Sequence, residues 1–357
     1  MHRVWTLCHL AFGALALSGC NLVVMNPSGD VASQQAQLIV YATVLMLIVI
    51  IPVIALTIFF AFKYRASNEE ATFDPDWHHS ISLEMVVWSV PMAIIMCLAG
   101  LTWVATHRLE PYNDIRRIDS QTPIDPSVEP LTIQVAAMDW KWVFLYPEQG
   151  IATVNEVAAP VDRPIEFHIT SATVMNSFYI PALAGMIYAM PGMQTELNAV
   201  INEEGVFKGL SANYSGEGFS HMNFDFIATV DQAGFDAWVE KVQAEGSDLD
   251  LDGLAELNKP SVDHPVMYFG SYDENAWNRL VNKCVDEDDL CLNDMMMADA
   301  LGGGGIEGLF NREQFRGLCS AENPGAIMAL IRPGKHDLEK DIIAAMTDLP
   351  ANPRAEN

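Results

Sequence analysis

The chain contains an uninterrupted apolar stretch, LIVYATVLMLIVIIPVIALTIFFAF, at residues 38–62. A helix needs roughly 20 such residues to cross about 30 Å of hydrocarbon. A second charge-free stretch, at residues 85–106, meets the same requirement. Pro52 and Pro91 lie inside these stretches, where neighbouring helices tolerate proline better than water does. The sequence therefore predicts a membrane protein with transmembrane helices over residues 37–62 and 84–106.

The first residues have the pattern of a bacterial export signal. His2 and Arg3 precede an apolar run at residues 4–17, which ends in Leu17-Ser18-Gly19-Cys20. A basic region, a short apolar core and small residues at a cleavage site are typical of a secretory signal peptide. The Leu-Ser-Gly-Cys ending resembles a lipobox, which implies removal of residues 1–19 and acylation of Cys20. The alternative is a plain signal peptide with a chance cysteine.

The export signal also predicts the orientation in the membrane. If the mature N-terminus lies outside, residues 20–36 are periplasmic, residues 63–83 form a cytoplasmic loop, and the chain after Pro111 is periplasmic. The distribution of Lys and Arg supports this orientation only weakly, because basic residues follow both spans. We therefore expect a two-span protein of the bacterial inner membrane, with a lipid anchor at its N-terminus and a periplasmic C-terminal domain.

The sequence after the second span predicts a β domain followed by a C-terminal extension. Apolar and polar residues alternate in LTIQV at residues 131–135 and in IEFHIT at residues 165–170, which predicts half-buried strands. Short strands separated by Pro, Gly and Asn turns predict an antiparallel sandwich over residues 112–230. From residue 231 to 357 the pattern becomes partly helical, beginning at FDAWV, and continues into acidic, Met-rich and Gly-rich stretches.

Three cysteines remain in the predicted periplasmic part, where disulfides can form. They are Cys284, Cys291 and Cys319, and their odd number leaves one thiol unpaired. Cys284 and Cys291 are the closest pair in sequence, but spacing alone does not settle pairing. A metal site at these cysteines is the alternative, although no histidine lies in that segment.

Four motifs in this chain resemble subunit II of the haem–copper respiratory oxidases. They are LEMVVWSVP at 83–91, THRLEPY at 106–112, MDWKWVFLYP at 138–147 and SATVMNSFYIP at 171–181. Two further stretches, YPEQGIATVNE at 146–156 and IYAMPGMQT at 187–195, are similar to the bo-type ubiquinol oxidases of that family. The resemblance continues to about residue 281. It implies a two-helix transmembrane hairpin, an all-β cupredoxin-like sandwich and a partly helical C-terminal extension.

The chain departs from the family at its binuclear copper centre. The family places one ligand in a Ser-x-x-Val-x-His-Ser-Phe stretch and the others in a Cys-x3-Cys-x3-His-x2-Met loop. The corresponding positions here are Asn176, Tyr214, Gly218 and Met222. None of these side chains supplies a thiolate or an imidazole. His221 lies one residue from a ligand position, but the sequence has no cysteine between Cys97 and Cys284 to bridge two coppers.

The resemblance also implies roles for residues in the other motifs. Glu84 corresponds to a glutamate at the mouth of a proton-uptake channel, and a residue that only marks the membrane interface is the alternative. Trp140 and Trp142 fall in the aromatic patch that receives electrons from cytochrome c in copper-bearing relatives. Without copper we expect them to support the sandwich instead. His107 is expected to position its neighbours.

The net charge of −27 excludes nucleic acid as a favourable partner, since phosphate backbones attract Lys and Arg. An acidic surface would suit a cationic protein such as cytochrome c, but acid excess more often means a solvated surface. Charge alone therefore does not identify the electron donor. The missing copper ligands favour a membrane quinol.

The resemblance implies subunit II of a respiratory ubiquinol oxidase that reduces oxygen to water and moves protons. The haems and a catalytic copper would lie in the partner subunit I, and this chain would hold no cofactor, metal or catalytic residue. Its partners would be subunit I, smaller membrane subunits and membrane lipid, with ubiquinol as substrate of the complex. A cytochrome c oxidase subunit II with relocated copper, and a non-enzymatic envelope lipoprotein with a cupredoxin-like binding domain, are the alternatives.

Overall fold

The structure is a computed structural model that describes residues 22–72, 76–125, 127–286 and 289–300, with the backbone alone for 297–300. The predicted signal peptide, Cys20, Cys319 and the Gly-rich stretch lie outside the described residues. Chain contacts separate two compact units, Met1–Glu274 and Asn275–Asn357. The helical hairpin and the sandwich both belong to the first unit.

Two long helices begin the described chain. Helix α1 spans Asp30–Lys63 and helix α2 spans Ile81–Arg108. Both are long and apolar enough to cross a membrane, and their most apolar windows are not buried within the chain. The predicted two-helix hairpin is confirmed. Helix α1 begins before its apolar stretch, and Asp30 in its first turn suits the positive end of the helix dipole.

Two sheets of short strands form the β-sandwich that follows. The strands are β1 (Leu131–Met138), β2 (Lys141–Tyr146), β3 (Ile151–Val154), β4 (Glu156–Pro160), β5 (Ile165–Ser171), β6 (Asn176–Tyr179), β7 (Ile187–Ala189), β8 (Thr195–Ala199), β9 (Gly205–Ser211), β10 (Asn223–Thr229), β11 (Ser247–Leu249) and β12 (Met267–Tyr272). One sheet has the order β11-β12-β3-β2-β1-β5-β8, and the other has β4-β10-β9-β6-β7.

The helices after the sandwich strands are short. They are α3 (Gln232–Glu245), α4 (Leu251–Asn258), α5 (Ala276–Val281) and α6 (Leu292–Ala300). Asp231 and Asp250 cap α3 and α4 by accepting hydrogen bonds from backbone N–H groups three residues further on. The partly helical C-terminal extension is thus confirmed over its described residues.

The sandwich is mixed rather than antiparallel, which corrects the expectation from the strand pattern. Strands β1 and β5 pair in parallel, as do β4 with β10 and β11 with β12. The chain leaves the first sheet after β3, forms β4 in the second sheet and returns as β5. Such a crossover brings two strands side by side in the same direction. The alternation of apolar and polar residues predicts a strand but not whether it pairs in parallel or antiparallel.

The larger sheet continues past residue 230, where the sequence places the end of the sandwich. Strand β12 pairs with β3, with Phe269 opposite Ala152, and β11 pairs with β12. Strand β3 is buried along its whole length, so its outer backbone groups need a partner. The extension supplies that partner and covers the edge of the sheet.

Aromatic side chains fill the space between the sheets. Phe178 and Phe224 stack with ring centroids 5.2 Å apart, and Trp142 meets Phe178 edge-on at 5.4 Å. Phe144 lies 5.2 Å from Phe224 in the same cluster. Phe178 lies on β6, which begins at Asn176, and Phe224 lies at the start of β10, two residues after Met222. The aromatic core therefore holds in place the backbone around the copper-ligand positions 176 and 222.

Candidate functional site

Asn176 stands at the start of β6, at the position where the motif resemblance implies a histidine ligand in copper-bearing oxidases. Its side chain is buried, its amide Nδ2 donates to the Val174 carbonyl at 3.0 Å, and its Oδ1 accepts from Ser211 Oγ at 3.2 Å. The Ser211 backbone N–H in turn donates to the Met222 carbonyl at 3.1 Å. Asn176 and Met222 are thus held together through Ser211. Both amide atoms of Asn176 are already used by protein partners.

Trp140 packs against the β9–β10 loop, which carries the other three positions. The Trp140 backbone has a φ of 84°, and its indole Nε1 donates to the Ser215 carbonyl at 3.1 Å. A Cβ added at Gly218 would lie 2.5 Å from the indole ring, and one at Gly216 would lie 2.9 Å from it. The ring therefore lies against two glycines of the β9–β10 loop. A cysteine at 218 would need the ring to move.

The two other positions of the copper loop differ in exposure. Tyr214 is 76% exposed and contacts the Phe219 ring edge-on at 5.6 Å, whereas Met222 is buried in the core. His221 ends a short 3₁₀ helix, Phe219–His221, and is exposed. The structure brings Asn176, Gly218 and Met222 into the packed interior, with Tyr214 and His221 at its surface.

These residues do not fit the copper centre of the related oxidases. A binuclear copper–thiolate site needs soft sulfur and imidazole donors in fixed positions. The loop holds no cysteine, the Asn176 amide is hydrogen-bonded to Val174 and Ser211, and Trp140 lies against Gly218. Over the described ranges, no group of three or more His, Cys, Asp or Glu side chains is arranged to hold a metal.

Trp142, the second tryptophan of the same motif, is fully buried in the aromatic core. It contacts Phe178 and Phe224, and its backbone N–H donates to Asn155 Oδ1 at 2.9 Å. Both tryptophans therefore pack within the sandwich.

Glu84 lies in the first turn of α2. Ser80 caps this helix, with its hydroxyl 3.5 Å from the Leu83 backbone N–H. The Glu84 carboxylate is half exposed and lies 2.6 Å from His79 Nδ1. The pair is thus at the end of α2 nearer the loop that joins the helices. At the other end, His107 Nδ1 lies 2.8 Å from the Trp103 carbonyl and its ring packs on Trp103, a local contact within one helix.

Cys284 and Cys291 form a disulfide. The closest pair in sequence is thus the bonded pair, and its sulfurs are not thiolates that could bind a metal. Among the described cysteines Cys97 is free, and it is exposed on α2.

Sequence reasoning missed a joint between the hairpin and the sandwich. The Gly29 backbone N–H donates to the Ala182 carbonyl at 2.9 Å, and a Cβ at Gly29 would lie 2.6 Å from the Leu183 carbonyl oxygen. Asp30, at the start of α1, is buried and accepts two hydrogen bonds from Arg117, at 2.9 and 3.0 Å. The only sequence signals were a glycine and an aspartate just before an apolar span.

Family models match two parts of the chain. The model described as cytochrome c oxidase subunit II, periplasmic domain, matches residues 147–229, and the COX aromatic rich motif matches residues 243–288. The first range includes all four positions of the lost copper centre. The second includes α4 and β12, which complete the larger sheet.

Three relatives share most of the chain. Cytochrome bo(3) ubiquinol oxidase subunit 2 of Pseudomonas aeruginosa is 52% identical over 76% of this chain and 78% of that protein. The same subunit of Pseudomonas putida is 48% identical over 76% and 83%. Ubiquinol oxidase subunit 2 of Acetobacter aceti is 47% identical over 76% and 85%. This chain belongs to the ubiquinol oxidase subunit 2 family.

Membership in the ubiquinol oxidase subunit 2 family confirms the resemblance drawn from the motifs. It also assigns the two apolar helices to an inner-membrane protein with a periplasmic domain, because the family combines such helices with the subunit II sandwich. The replaced ligands at Asn176 and Gly218 are therefore features of a ubiquinol oxidase subunit.

Proposed function

We propose that this chain is the non-catalytic second subunit of a membrane complex that oxidises ubiquinol, reduces oxygen to water and translocates protons. The haems and a catalytic copper belong to the partner subunit I, and smaller membrane subunits complete the assembly. The two helices pack against subunit I, and the sandwich caps it on the periplasmic side. Family membership and the two apolar helices support this role.

The proposal rests on the packing of side chains at the positions where the related oxidases would bind copper. Without a pair of thiolates this chain has no site to receive an electron from cytochrome c and pass it on. Trp140 lies against Gly218, and Asn176 is bonded to Val174 and Ser211. Electrons therefore enter the complex elsewhere, from a donor dissolved in the membrane.

Oxygen uptake by the purified native complex tests the proposal. Reduced ubiquinol analogue and reduced cytochrome c are offered separately, and copper is counted per complex. Oxidation of the quinol alone with a single copper is expected. Rapid oxidation of cytochrome c with additional copper would overturn the proposal and restore a metal role to the loop around Gly218.

The alternatives are not favoured. The three closely similar relatives above are named as ubiquinol oxidase subunits, not as cytochrome c oxidase subunits. A non-enzymatic lipoprotein would not co-purify with a haem-bearing subunit, so a haem spectrum in the affinity-purified complex separates these two classes.

Glu84 is proposed to assist proton entry from the cytoplasmic side. Its half-exposed carboxylate beside His79 could exchange protons with the loop and pass them to subunit I. Glu84→Ala is expected to slow oxygen uptake several-fold while haem content stays unchanged. Glu69→Ala, which removes an exposed carboxylate from the same loop, is the matched control and should not slow it. Unchanged turnover in Glu84→Ala would remove the role.

The membrane arrangement is proposed as follows. Residues 1–19 are a signal peptide, Cys20 is acylated, residues 20–36 and those after Pro111 are periplasmic, and residues 63–83 are cytoplasmic. Two spanning helices already retain the protein in the membrane, so the acyl group is not needed for retention. Cys20→Ala should therefore still assemble, with its mass lacking the lipid. Loss of the complex from membranes would contradict this expectation.

A further inference from the structure

We propose that the cleft between the periplasmic ends of α1 and α2 and the base of the sandwich binds the headgroup of a zwitterionic phospholipid of the ethanolamine type. The cleft has a volume of about 680 Å³. It is lined mainly by the first turns of α1 and by residues 108–117, which connect α2 to the sandwich. This volume lies within the range of roughly 300–1,000 Å³ that small-molecule sites occupy. The inference rests on the membrane placement proposed above.

The lower part of the cleft lies at the depth of lipid headgroups. The apolar stretch of α1 begins at Leu38, so residues 30–37 form about 12 Å of mostly polar helix above it. The headgroup layer is roughly 5–7 Å thick on each side of a bilayer. Gln34 and Gln35 line the cleft and lie about 4–6 Å above Leu38, within this layer, as does Arg108, two residues beyond the apolar stretch of α2. Asp30 lies about 12 Å above Leu38, at the outer end of the cleft. A lipid of the outer leaflet thus meets the cleft with its headgroup.

The walls of the cleft are held in place by the joint described above. Arg117 is committed to the buried Asp30 through two hydrogen bonds, and Gln34 Nε2 also donates to Asp30 at 2.9 Å. The close approach of Gly29 to Leu183 fixes the helix end against the sandwich. A cleft with fixed walls binds at a lower cost in ordering than a mobile one.

Two cations and two anions remain available around the cleft. Across the part of the chain that the structure describes, Arg108 and Arg116 have no side-chain hydrogen bond or ion pair, and neither do Glu110 and Asp114. A guanidinium binds a phosphate with paired hydrogen bonds. A carboxylate binds a primary ammonium. One phosphate and one ammonium therefore match these side chains, whereas a purely anionic headgroup would face Glu110 and Asp114 unpaired.

The helix surfaces below the cleft suit acyl chains. Ile39 and Val40 on α1, and Trp103 and Val104 on α2, are apolar side chains within the first turns under the cleft that this chain by itself leaves exposed. Tryptophan is enriched at this depth of the membrane, where its ring spans apolar and polar surroundings. The cleft and these surfaces together can hold one phospholipid from headgroup to chains.

Photolabelling of the assembled complex tests the proposal. The complex is placed in bilayer discs with a trace of photoactivatable phosphatidylethanolamine, phosphatidylcholine or phosphatidylglycerol, and labelled peptides are mapped by mass spectrometry. We expect phosphatidylethanolamine to label residues 108–117 most strongly. Arg108→Gln/Arg116→Gln should reduce this labelling by about tenfold, as expected for the loss of a charge-assisted hydrogen bond. Arg65→Gln, on the opposite side of the membrane, is the matched control and should not reduce it.

A second variant tests the ammonium contacts. Glu110→Gln/Asp114→Asn should keep labelling by phospholipids but lose the preference for phosphatidylethanolamine over phosphatidylcholine. The proposal would be overturned by equal labelling with all three lipids or by unchanged labelling of the arginine variant. It would also be overturned if cross-linking showed that subunit I occupies the cleft. Haem content confirms assembly in each variant. Quinol oxidation in the same discs is scored separately, so its absence counts against the proposed function and not against the lipid site.

Discussion

Lys141, within the motif at residues 138–147, is a buried cation on β2 whose burial the sequence did not indicate. Its side chain is 1% exposed, and its ammonium donates to the carbonyls of Leu257 and Lys259 at 2.8 Å each and of Asp139 at 3.2 Å. Two of these acceptors belong to the end of α4 and the residues after it. Cations are favourable at helix C-termini, where carbonyls lack partners. A single side chain thus ties the extension to the first hairpin of the sandwich.

Lys141→Met is expected to lower the free energy of unfolding by about 2–4 kcal/mol, because buried carbonyls lose their donor. Urea unfolding of the purified chain measures the change. Lys208→Met is the matched control, since Lys208 is an exposed partner of Asp225 and its loss should cost less than about 1 kcal/mol. Equal losses in the two variants would contradict the structural role of Lys141.

Burial also gives this lysine a pH dependence. Desolvation lowers the pKa of Lys141 to about 8, below its ordinary value, against the opposing charge of Asp139. Between about pH 8 and 10.4 the unfolded chain binds more protons at this residue than the folded chain does, so the Lys141 contribution to stability rises with pH. The stability difference between wild type and Lys141→Met should therefore widen over that interval.

At the scale of elements, α3 and β12 of the C-terminal extension both contact strand β4. The Glu156 carboxylate on β4 accepts from Trp238 Nε1 at 3.0 Å and from the Tyr268 hydroxyl at 2.7 Å. The ring of Trp238 packs 5.5 Å from that of Tyr146, which lies in the core. These contacts explain why a boundary drawn at residue 230 from composition does not end the folded sheet.

Truncation tests the role of these elements. A chain that ends after residue 230 should lose protease resistance in its periplasmic part, because β3 becomes an open edge and Tyr146 loses its cover. A chain that ends after Glu274 should keep that resistance, since it retains β12 and the whole first unit. Limited proteolysis of membranes bearing each chain measures this. Equal resistance of the two truncations would show that β3 does not need β12.

At the scale of the whole molecule, Trp140 shows that a residue can stabilise the sandwich without taking part in electron entry. The motif resemblance implies an electron-receiving patch at position 140 in copper-bearing relatives, whereas Trp140 here packs on Gly216 and Gly218. Its contribution to the complex should therefore be stability and not turnover.

Trp140→Leu is expected to leave ubiquinol oxidation by the assembled complex within about twofold while lowering its midpoint of thermal inactivation, because a large side chain is lost from a packed loop. Oxygen uptake and inactivation are measured on the same preparation. Trp77→Leu, which changes an exposed tryptophan of the loop between the helices, should alter neither. A many-fold loss of turnover in Trp140→Leu would place electron entry at this ring.

Local sequence was enough for several features of the molecule. The two helices follow from the apolar stretches around Pro52 and Pro91, because crossing a bilayer depends on length and composition alone. The strands at residues 131–135 and 165–170 follow from alternation. The absence of copper ligands was visible from the identities at the aligned motif positions, since coordination requires particular donor atoms.

Contacts between distant residues were decided by the tertiary structure. Asp30 pairs with Arg117, Lys141 reaches the end of α4, and Trp140 lies against Gly218. The parallel pairing of β1 with β5 is of the same kind. No local pattern encodes which distant groups meet, because periodicity reports only which face of an element is buried. The partners are set when the sheets pack and each buried polar group must find a donor or acceptor.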